Sequence, residues 1–193
     1  MVHARRAFTL AASAVLSSAL LGLALGPASA AAATPSCNIK LPVLEGVLHV
    51  RLVKERTRTE KRRVRSNGVI LPTTEYFCSY SPVKKGHGAR IGMSVSLENP
   101  FPRANYVNEE ASSRFNAGSA GRGAAFATIG ALPGDNAYYY KAPGGGGEAA
   151  RPPEFYTDAY VQETRIAVNL SGPGVTAAKA TALLIAVVKH VKL

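Results

Sequence analysis

The residues with the most distinctive chemistry form a basic segment, Arg51 to Arg65. It holds eight lysine or arginine residues and two glutamates, a net charge of +6 in 15 residues. Cationic groups at this density attract phosphates, carboxylates and anionic lipid headgroups. We therefore predict that this segment binds an anionic partner through six side chains: Arg56, Arg58, Lys61, Arg62, Arg63 and Arg65.

The same segment contains few apolar residues, which is typical of an exposed arm or an edge strand. In an extended chain, alternation would place Arg56 and Arg58 on one face with Lys54 and Arg62, forming a cationic ridge. No aromatic side chain that could stack on a base lies between the cations of this segment. This absence argues against nucleic acid as the partner. We expect the partner to be an anionic cell-wall polymer or a membrane surface; the alternative is an arm that only keeps the protein in solution.

Residue patterns typical of enzymes and metal sites are missing from the sequence. The chain has two aspartates, Asp135 and Asp158, and no Gly-x-Ser-x-Gly motif. His-x-x-x-His, His-Glu-x-x-His and calcium-loop spacings are absent, so no metal or cofactor is predicted. Gly144 to Gly147 lacks the Lys-Ser/Thr that a phosphate loop requires. We predict a protein that is not an enzyme; the alternatives are an uncharacterised enzyme with a cleft near His87 or His49 and a structural or stress-protective protein without a ligand.

The first 30 residues are predicted to be an export signal. Arg5 and Arg6 begin it, Phe8 to Leu25 is apolar, and Ala28 to Ala30 supplies small residues for cleavage. The arginine pair fits either a twin-arginine or a general secretory signal. Cleavage after residue 30 would leave 21 basic and 12 acidic residues, a net charge of +9. We expect a secreted monomer that contacts the cell envelope, with no transmembrane segment in the mature chain.

The two cysteines, Cys37 and Cys78, are predicted to form a disulfide, because an even number of cysteines in an exported chain is most simply paired. Closing a loop of about 40 residues removes roughly 4 kcal/mol of conformational freedom from the unfolded chain. A metal site or a reactive thiol is a weak alternative, because there is no Cys-x-x-Cys and no histidine lies close in sequence to either cysteine.

Hydrophobic periodicity predicts the elements of the first half of the mature chain. A helix is expected from Leu41 to Lys54, although His49 to Val53 could instead begin a strand. Ser66-Asn67-Gly68 predicts a tight turn. Apolar residues alternate over Thr74 to Tyr80 and over Arg90 to Glu98, which predicts two strands of a hairpin.

The central part of the chain is predicted to contain a helix and a short strand. Asn105 to Asn116 has helical composition, with Glu109 and Glu110 near its start, where carboxylates suit the helix dipole. Ala137 to Lys141 reads as a strand whose three consecutive tyrosines could form an apolar patch.

The last part predicts a strand followed by a C-terminal helix. Pro143 to Pro153, rich in glycine, is expected to be a flexible excursion. Ala159 to Leu170 is predicted to be one strand, and a helix beginning near Thr176 carries an apolar stripe that should dock on the sheet. We therefore predict a flexible lead-in at residues 31–36 and a single α+β domain at residues 37–193. Its antiparallel sheet would carry the C-terminal helix, one or two shorter helices and one disulfide.

Several short motifs give the chain a family resemblance. They are a cysteine just after the signal, Cys78-Ser79-Tyr80 before an apolar strand, and Ile129-Gly130 leading into Gly134-Asp135-Asn136-Ala137-Tyr138. With the strand, turn and helix at Ile166 to Leu193, this layout resembles small secreted actinobacterial proteins of unknown function, which are often lipoproteins. The resemblance implies that the two cysteines pair, and it transfers no catalytic residue. Thr34-Pro35-Ser36 precedes Cys37 in place of a lipidation motif.

Overall fold

The computed structural model describes residues 36–83, 91–120, 123–132, 137–142, 152–191 and 193. Within these residues the chain forms three helices and one seven-stranded antiparallel sheet, in the order β1-β2-β3-β7-β6-β5-β4. The helices are α1 (Leu41–Leu48), α2 (Arg103–Ser119) and α3 (Ala177–His190). The strands are β1 (Leu52–Ser66), β2 (Val69–Pro82), β3 (Gly92–Asn99), β4 (Ala125–Thr128), β5 (Ala137–Lys141), β6 (Glu154–Val161) and β7 (Thr164–Ser171). The predicted α+β class is confirmed.

Helices lie on both faces of the sheet, which we call the α3 face and the α2 face. On the α3 face, α1 and α3 cover a core that includes Val95, Ile166 and Val168. The alternate residues of each strand point to the α2 face. There, Tyr106 of α2 packs against Tyr138.

The apolar stripe of α3 supplies much of this core, as predicted. Thr176 caps the helix by accepting a hydrogen bond from the backbone N–H of Lys179, and this placement agrees with the predicted start. Each fully buried aliphatic side chain contributes about 1.5–3 kcal/mol relative to exposure. The buried members of the stripe are Ala180, Leu183, Leu184 and Val187.

The β1–β2 hairpin extends past the rest of the sheet. Asn67 and Gly68 form its turn with φ values of 48° and 82°, the left-handed conformations that the Asn-Gly pair predicts. β3 pairs with β2 only over Thr74–Tyr80. The five residues of β2 before Thr74 therefore have β1 as their only partner in the described sheet, and the hairpin projects by about 17 Å at 3.4 Å per residue.

The predicted disulfide is present and ties the chain before α1 to the sheet. Cys37 precedes α1, Cys78 lies in β2, and both are buried. Tyr80, two residues further along β2, donates a hydrogen bond from its hydroxyl to the Cys37 carbonyl at 3.0 Å. Covalent and hydrogen-bond links thus fix the start of the domain against the α3 face.

The first helix is shorter than the predicted Leu41 to Lys54. It ends at Leu48, because His49 adopts a left-handed φ of 57° and donates its backbone N–H to the Glu45 carbonyl. The Glu45 carboxylate accepts the backbone N–H of Leu52 at 2.8 Å, which holds the chain as it enters β1. The alternative prediction, a strand that begins within His49 to Val53, is confirmed, because β1 begins at Leu52.

The predicted strand Ala159 to Leu170 is two strands, β6 and β7, joined by a two-residue turn. Gln162 and Glu163 form this turn at φ values of 47° and 60°. Neither Gln nor Glu is typical of a left-handed turn. The alternation of apolar residues therefore predicts one strand where the structure has two, and that prediction is wrong.

Two further differences concern the middle of the chain. The second helix runs from Arg103 to Ser119, so Glu109 and Glu110 lie in its second turn and not at its start. β4 was not predicted, because its four residues are too few for a periodic signal.

Some predictions fall outside the described residues. They concern the export signal, nearly all of the lead-in and residues 143–151 of the glycine-rich excursion.

Candidate functional site on the hairpin

Strand register divides the predicted binding residues between the two faces of the hairpin. Arg58 pairs with Phe77 and Arg62 with Thr73, so both point to the α2 face. Lys61, Arg63 and Arg65 alternate with them and point to the α3 face. A sequence that reads as one basic cluster is therefore two cationic rows with different surroundings.

A bulge near Glu55 alters the ridge expected from simple alternation. Lys54 pairs with Tyr80 on the α3 face, whereas Arg56 pairs with Ser79 on the α2 face. Because the extra residue reverses the alternation, Lys54 does not share a face with Arg56, Arg58 and Arg62 as predicted. Its Nζ instead donates a hydrogen bond to Asn38 Oδ1 at 2.9 Å. Arg56 is exposed.

On the α2 face, the arginines contact carboxylates of the protein itself. Glu60, Glu75 and Glu98 stand directly opposite one another on β1, β2 and β3, an arrangement that is destabilising for like charges. Arg62 Nη2 lies 2.6 Å from Glu75 Oε2, and Arg58 Nε lies 3.1 Å from Glu60 Oε1. These ion contacts offset the repulsion, so Arg58 and Arg62 stabilise the sheet.

Arg165 of β7 continues this network toward α2. Its Nε donates to Asp158 Oδ1 at 2.8 Å, its Nη1 to Glu98 Oε2 at 3.3 Å, and its Nη2 lies 2.9 Å from Glu109 Oε2. Burial lowers the pKa of Arg165, but the charges of Asp158, Glu109 and Glu98 raise it by more, and the net shift is upward. The guanidinium therefore stays charged between strands β3, β6 and β7 and helix α2.

On the α3 face, the three cations remain open to solvent. Lys61, Arg63 and Arg65 are exposed, and no acidic residue in the described part of the chain forms an ion pair with them. Their cross-strand neighbours are uncharged: Thr74, Pro72 and Ile70. This row and the exposed Arg56 on the α2 face are the part of the predicted binding set that is available to an external anion.

The three consecutive tyrosines do not form the single apolar patch that the sequence suggested. Tyr138 points to the α2 face and is buried, and Tyr139 points to the α3 face against Phe155. Tyr140 stacks on Tyr156 with ring centroids 6.1 Å apart. Alternation along β5 places Tyr138 and Tyr140 on the α2 face and Tyr139 on the α3 face, as a period of two predicts.

The α2 face holds an open cleft of about 290 Å³ that sequence reasoning missed. Burial and then the charge of Asp158 raise the pKa of Tyr138 in this cleft. Burial and then the hydrogen bond with Glu154 raise the pKa of Tyr156 to about 12. The lining residues are Glu109, Ser112, Ser113, Tyr138, Tyr140, Tyr156, Asp158 and Arg165.

The histidines that could serve a catalytic site do not line this cleft, or they lie outside the described residues. His49 is exposed at the end of α1, and His190 Nδ1 lies 2.8 Å from the Ala186 carbonyl oxygen on α3. His87, Asp135 and the four glycines at residues 144–147 are outside the described part of the chain. Among the residues that the structure describes, no group of three or more His, Cys, Asp or Glu is arranged to hold a metal ion. The alternative of an enzyme stays a prediction.

No protein family, curated protein or solved structure matches this chain. The resemblance to small secreted actinobacterial proteins thus rests on its short sequence motifs and stays a prediction. In the described ranges, no helix combines the length and the apolar character that crossing a bilayer requires.

Proposed function

We propose that this chain is an exported, non-catalytic protein that binds anionic groups of the cell envelope through its β1–β2 hairpin. The observation that carries the proposal is the open row of Lys61, Arg63 and Arg65 on the α3 face. The signal-like first 30 residues and the paired cysteines support export, because disulfides form and persist in oxidising compartments.

The geometry of this row suits an extended array of anions. Alternate residues of a strand lie about 7 Å apart, and the three cations follow one another at that spacing. The pairing of β1 with β2 holds the three cations in line on one face of the ribbon. A linear or planar set of phosphates or carboxylates can meet all three cations at once.

The other basic residues of the segment contribute less. Arg58 and Arg62 already contact Glu60 and Glu75, so binding an external anion would compete with charges that the fold supplies. We therefore refine the predicted set of six residues. Lys61, Arg63 and Arg65 make the main contacts, and Arg56 adds to the positive electrostatic potential of the hairpin.

The test is neutralisation of the row. The variant K61Q/R63Q/R65Q removes three charges from exposed positions, where Gln keeps a polar, unbranched side chain. At about 1 kcal/mol per cation near an anionic surface, the affinity should fall by about 3 kcal/mol, or roughly a hundredfold or more at low salt. Retention on immobilised heparin, a model polyanion without an apolar phase, measures the change as the salt concentration needed for elution.

A matched control separates local binding from the net charge of the protein. K40Q/R51Q/K189Q removes the same number of charges from exposed positions outside the projecting part of the hairpin. We expect it to elute close to the unmodified protein. Equal losses in both variants would mean that net charge alone drives retention, and no loss in either would favour a structural protein without an anionic ligand.

A further inference from the structure

The tip of the hairpin combines exposed apolar residues with arginines. Val69 and Ile70, which follow the turn, are 58% and 53% exposed. Ile70 is the direct cross-strand partner of Arg65 on the α3 face. Single exposed apolar residues are common on protein surfaces, but these two are adjacent in sequence, point to opposite faces of the ribbon and lie at its projecting end.

All the charged residues at this end of the ribbon are positive. Residues 62–73 contain Arg62, Arg63 and Arg65 and no acidic residue. Arg62 contacts Glu75 on the α2 face, which leaves Arg63 and Arg65 as the open cations nearest the tip. An apolar end flanked by arginines is complementary to a surface that is anionic outside and apolar within.

Hydrogen bonds from the segment around the start of α2 brace the ribbon behind this tip. Asn105 Nδ2 donates to the Arg65 carbonyl at 3.0 Å, and Thr73 Oγ1 donates to the Pro100 carbonyl at 2.8 Å. The first contact holds β1 next to the turn, and the second holds β2 at the base of the projecting part. The tip is therefore presented by a supported ribbon, so docking requires little ordering of the backbone.

We infer that the anionic partner of the hairpin is a lipid bilayer, into whose interface Val69 and Ile70 insert while Arg63 and Arg65 contact the headgroup phosphates. This inference rests on the proposed function and names its partner. Apolar insertion and cationic attraction are the two contributions that bind proteins to membrane surfaces, and each is weak alone. Long arginine side chains can reach phosphates while their methylene groups cover the apolar residues.

The apolar pair distinguishes a bilayer from a soluble polyanion. A hydrated polymer of phosphates or carboxylates offers no apolar volume, so Val69 and Ile70 would gain nothing from binding it. A bilayer buries them in the headgroup and acyl boundary. The two residues should thus matter for vesicles and be irrelevant for heparin.

The first experiment compares the full chain and its variants on sedimented vesicles and on immobilised heparin. The vesicles contain phosphatidylglycerol with phosphatidylcholine, and vesicles of phosphatidylcholine alone serve as the neutral control. We expect V69S/I70S to lower vesicle affinity at least fivefold without changing heparin retention, and K61Q/R63Q/R65Q to weaken both. The control V107S/F115S removes two exposed apolar residues of α2 and should leave both unchanged.

The second experiment uses the absence of tryptophan from the sequence. The variant V69W places a single tryptophan at the tip, and F115W places one on α2. On adding phosphatidylglycerol vesicles, the emission of V69W should shift to shorter wavelength and be quenched by brominated acyl chains. The emission of F115W should not change.

The outcomes separate this inference from the proposed function. If K61Q/R63Q/R65Q lowers heparin and vesicle binding while V69S/I70S lowers neither and V69W emission stays constant, the proposed function stands and the bilayer inference is overturned. If K61Q/R63Q/R65Q alters neither, the proposed function fails. Equal binding to phosphatidylcholine alone would overturn the role of the arginines.

Discussion

Replacing Arg165 with methionine should destabilise the fold by leaving carboxylates in the sheet without their cation. The Arg165 side chain is 22% exposed and contacts Asp158 and Glu98, which are both buried. Its guanidinium also lies 5.5 Å from the ring centroid of Phe101. Breaking a buried ion pair by removing one partner costs about 3–5 kcal/mol, and the partial exposure of Arg165 places the expected loss near the lower end, about 3 kcal/mol.

The matched control is R114M on α2. Arg114 also pairs with a glutamate, Glu110 at 3.0 Å, and also covers an aromatic ring, that of Phe126. Its side chain is 63% exposed, so solvent screens the pair and the expected loss is about 1 kcal/mol or less. The two variants make the same substitution in different environments.

Equilibrium unfolding in urea, with the disulfide intact, measures both changes through the midpoint at constant slope. Removing the Arg165 charge should raise the pKa of Glu109, which burial already raises, so the difference between R165M and the unmodified protein should shrink as the pH falls below 7 and this carboxylate protonates. The R114M difference should change little. The reasoning is refuted if R165M loses no more stability than R114M at pH 7, or if its deficit stays the same on acidification.

Three other predictions concern the disulfide, a turn and the tyrosines. Reducing the Cys37–Cys78 bridge, whose members are 41 residues apart, should cost about 4 kcal/mol and lower the melting temperature by about 8–16 °C, measured by calorimetry with and without reductant. Replacing Gln162-Glu163 by Asn-Gly should stabilise the fold by about 1 kcal/mol in urea unfolding, because the native pair adopts left-handed backbone conformations; no gain would show that these conformations carry no strain. Raised tyrosine pKa values mean that the unfolded state releases these protons first, so stability should fall as the pH rises above about 10, and ultraviolet difference absorbance should show ionisation continuing well above that pH. The tyrosines concerned are Tyr80, Tyr106, Tyr138 and Tyr156.

Local features of the fold were predictable because short stretches of sequence determine them. The Asn67-Gly68 turn follows from residues that tolerate positive φ, and the α3 stripe follows from helical periodicity. The end of α1 was harder to predict, because the left-handed conformation of His49 and a hydrogen bond from the Leu52 N–H to the Glu45 carboxylate decide it. The Gln162-Glu163 turn gave no compositional signal at all.

The candidate site was predictable as a segment but not as a surface. The charge of Arg51 to Arg65 is visible in the sequence, and its exposure follows from its scarcity of apolar residues. Which cations are free depends on the bulge near Glu55 and on carboxylates from β2 and β3. Periodicity cannot supply that information, because it carries no register between strands.

Some features follow from composition or from residues close together in the chain: the hairpin turn, the α3 stripe, the pairing of the two cysteines and the net positive charge. Which cations remain open follows instead from the pairing of strands that are distant in sequence. Glu75 and Glu98, distant in sequence from Arg62, come within reach of it through strand pairing, and so Arg62 is paired while Arg63, its neighbour, faces solvent. The physical reason is that Coulomb energy depends on distance in space, and the distances between β1, β2, β3 and β7 exist only once the sheet has formed.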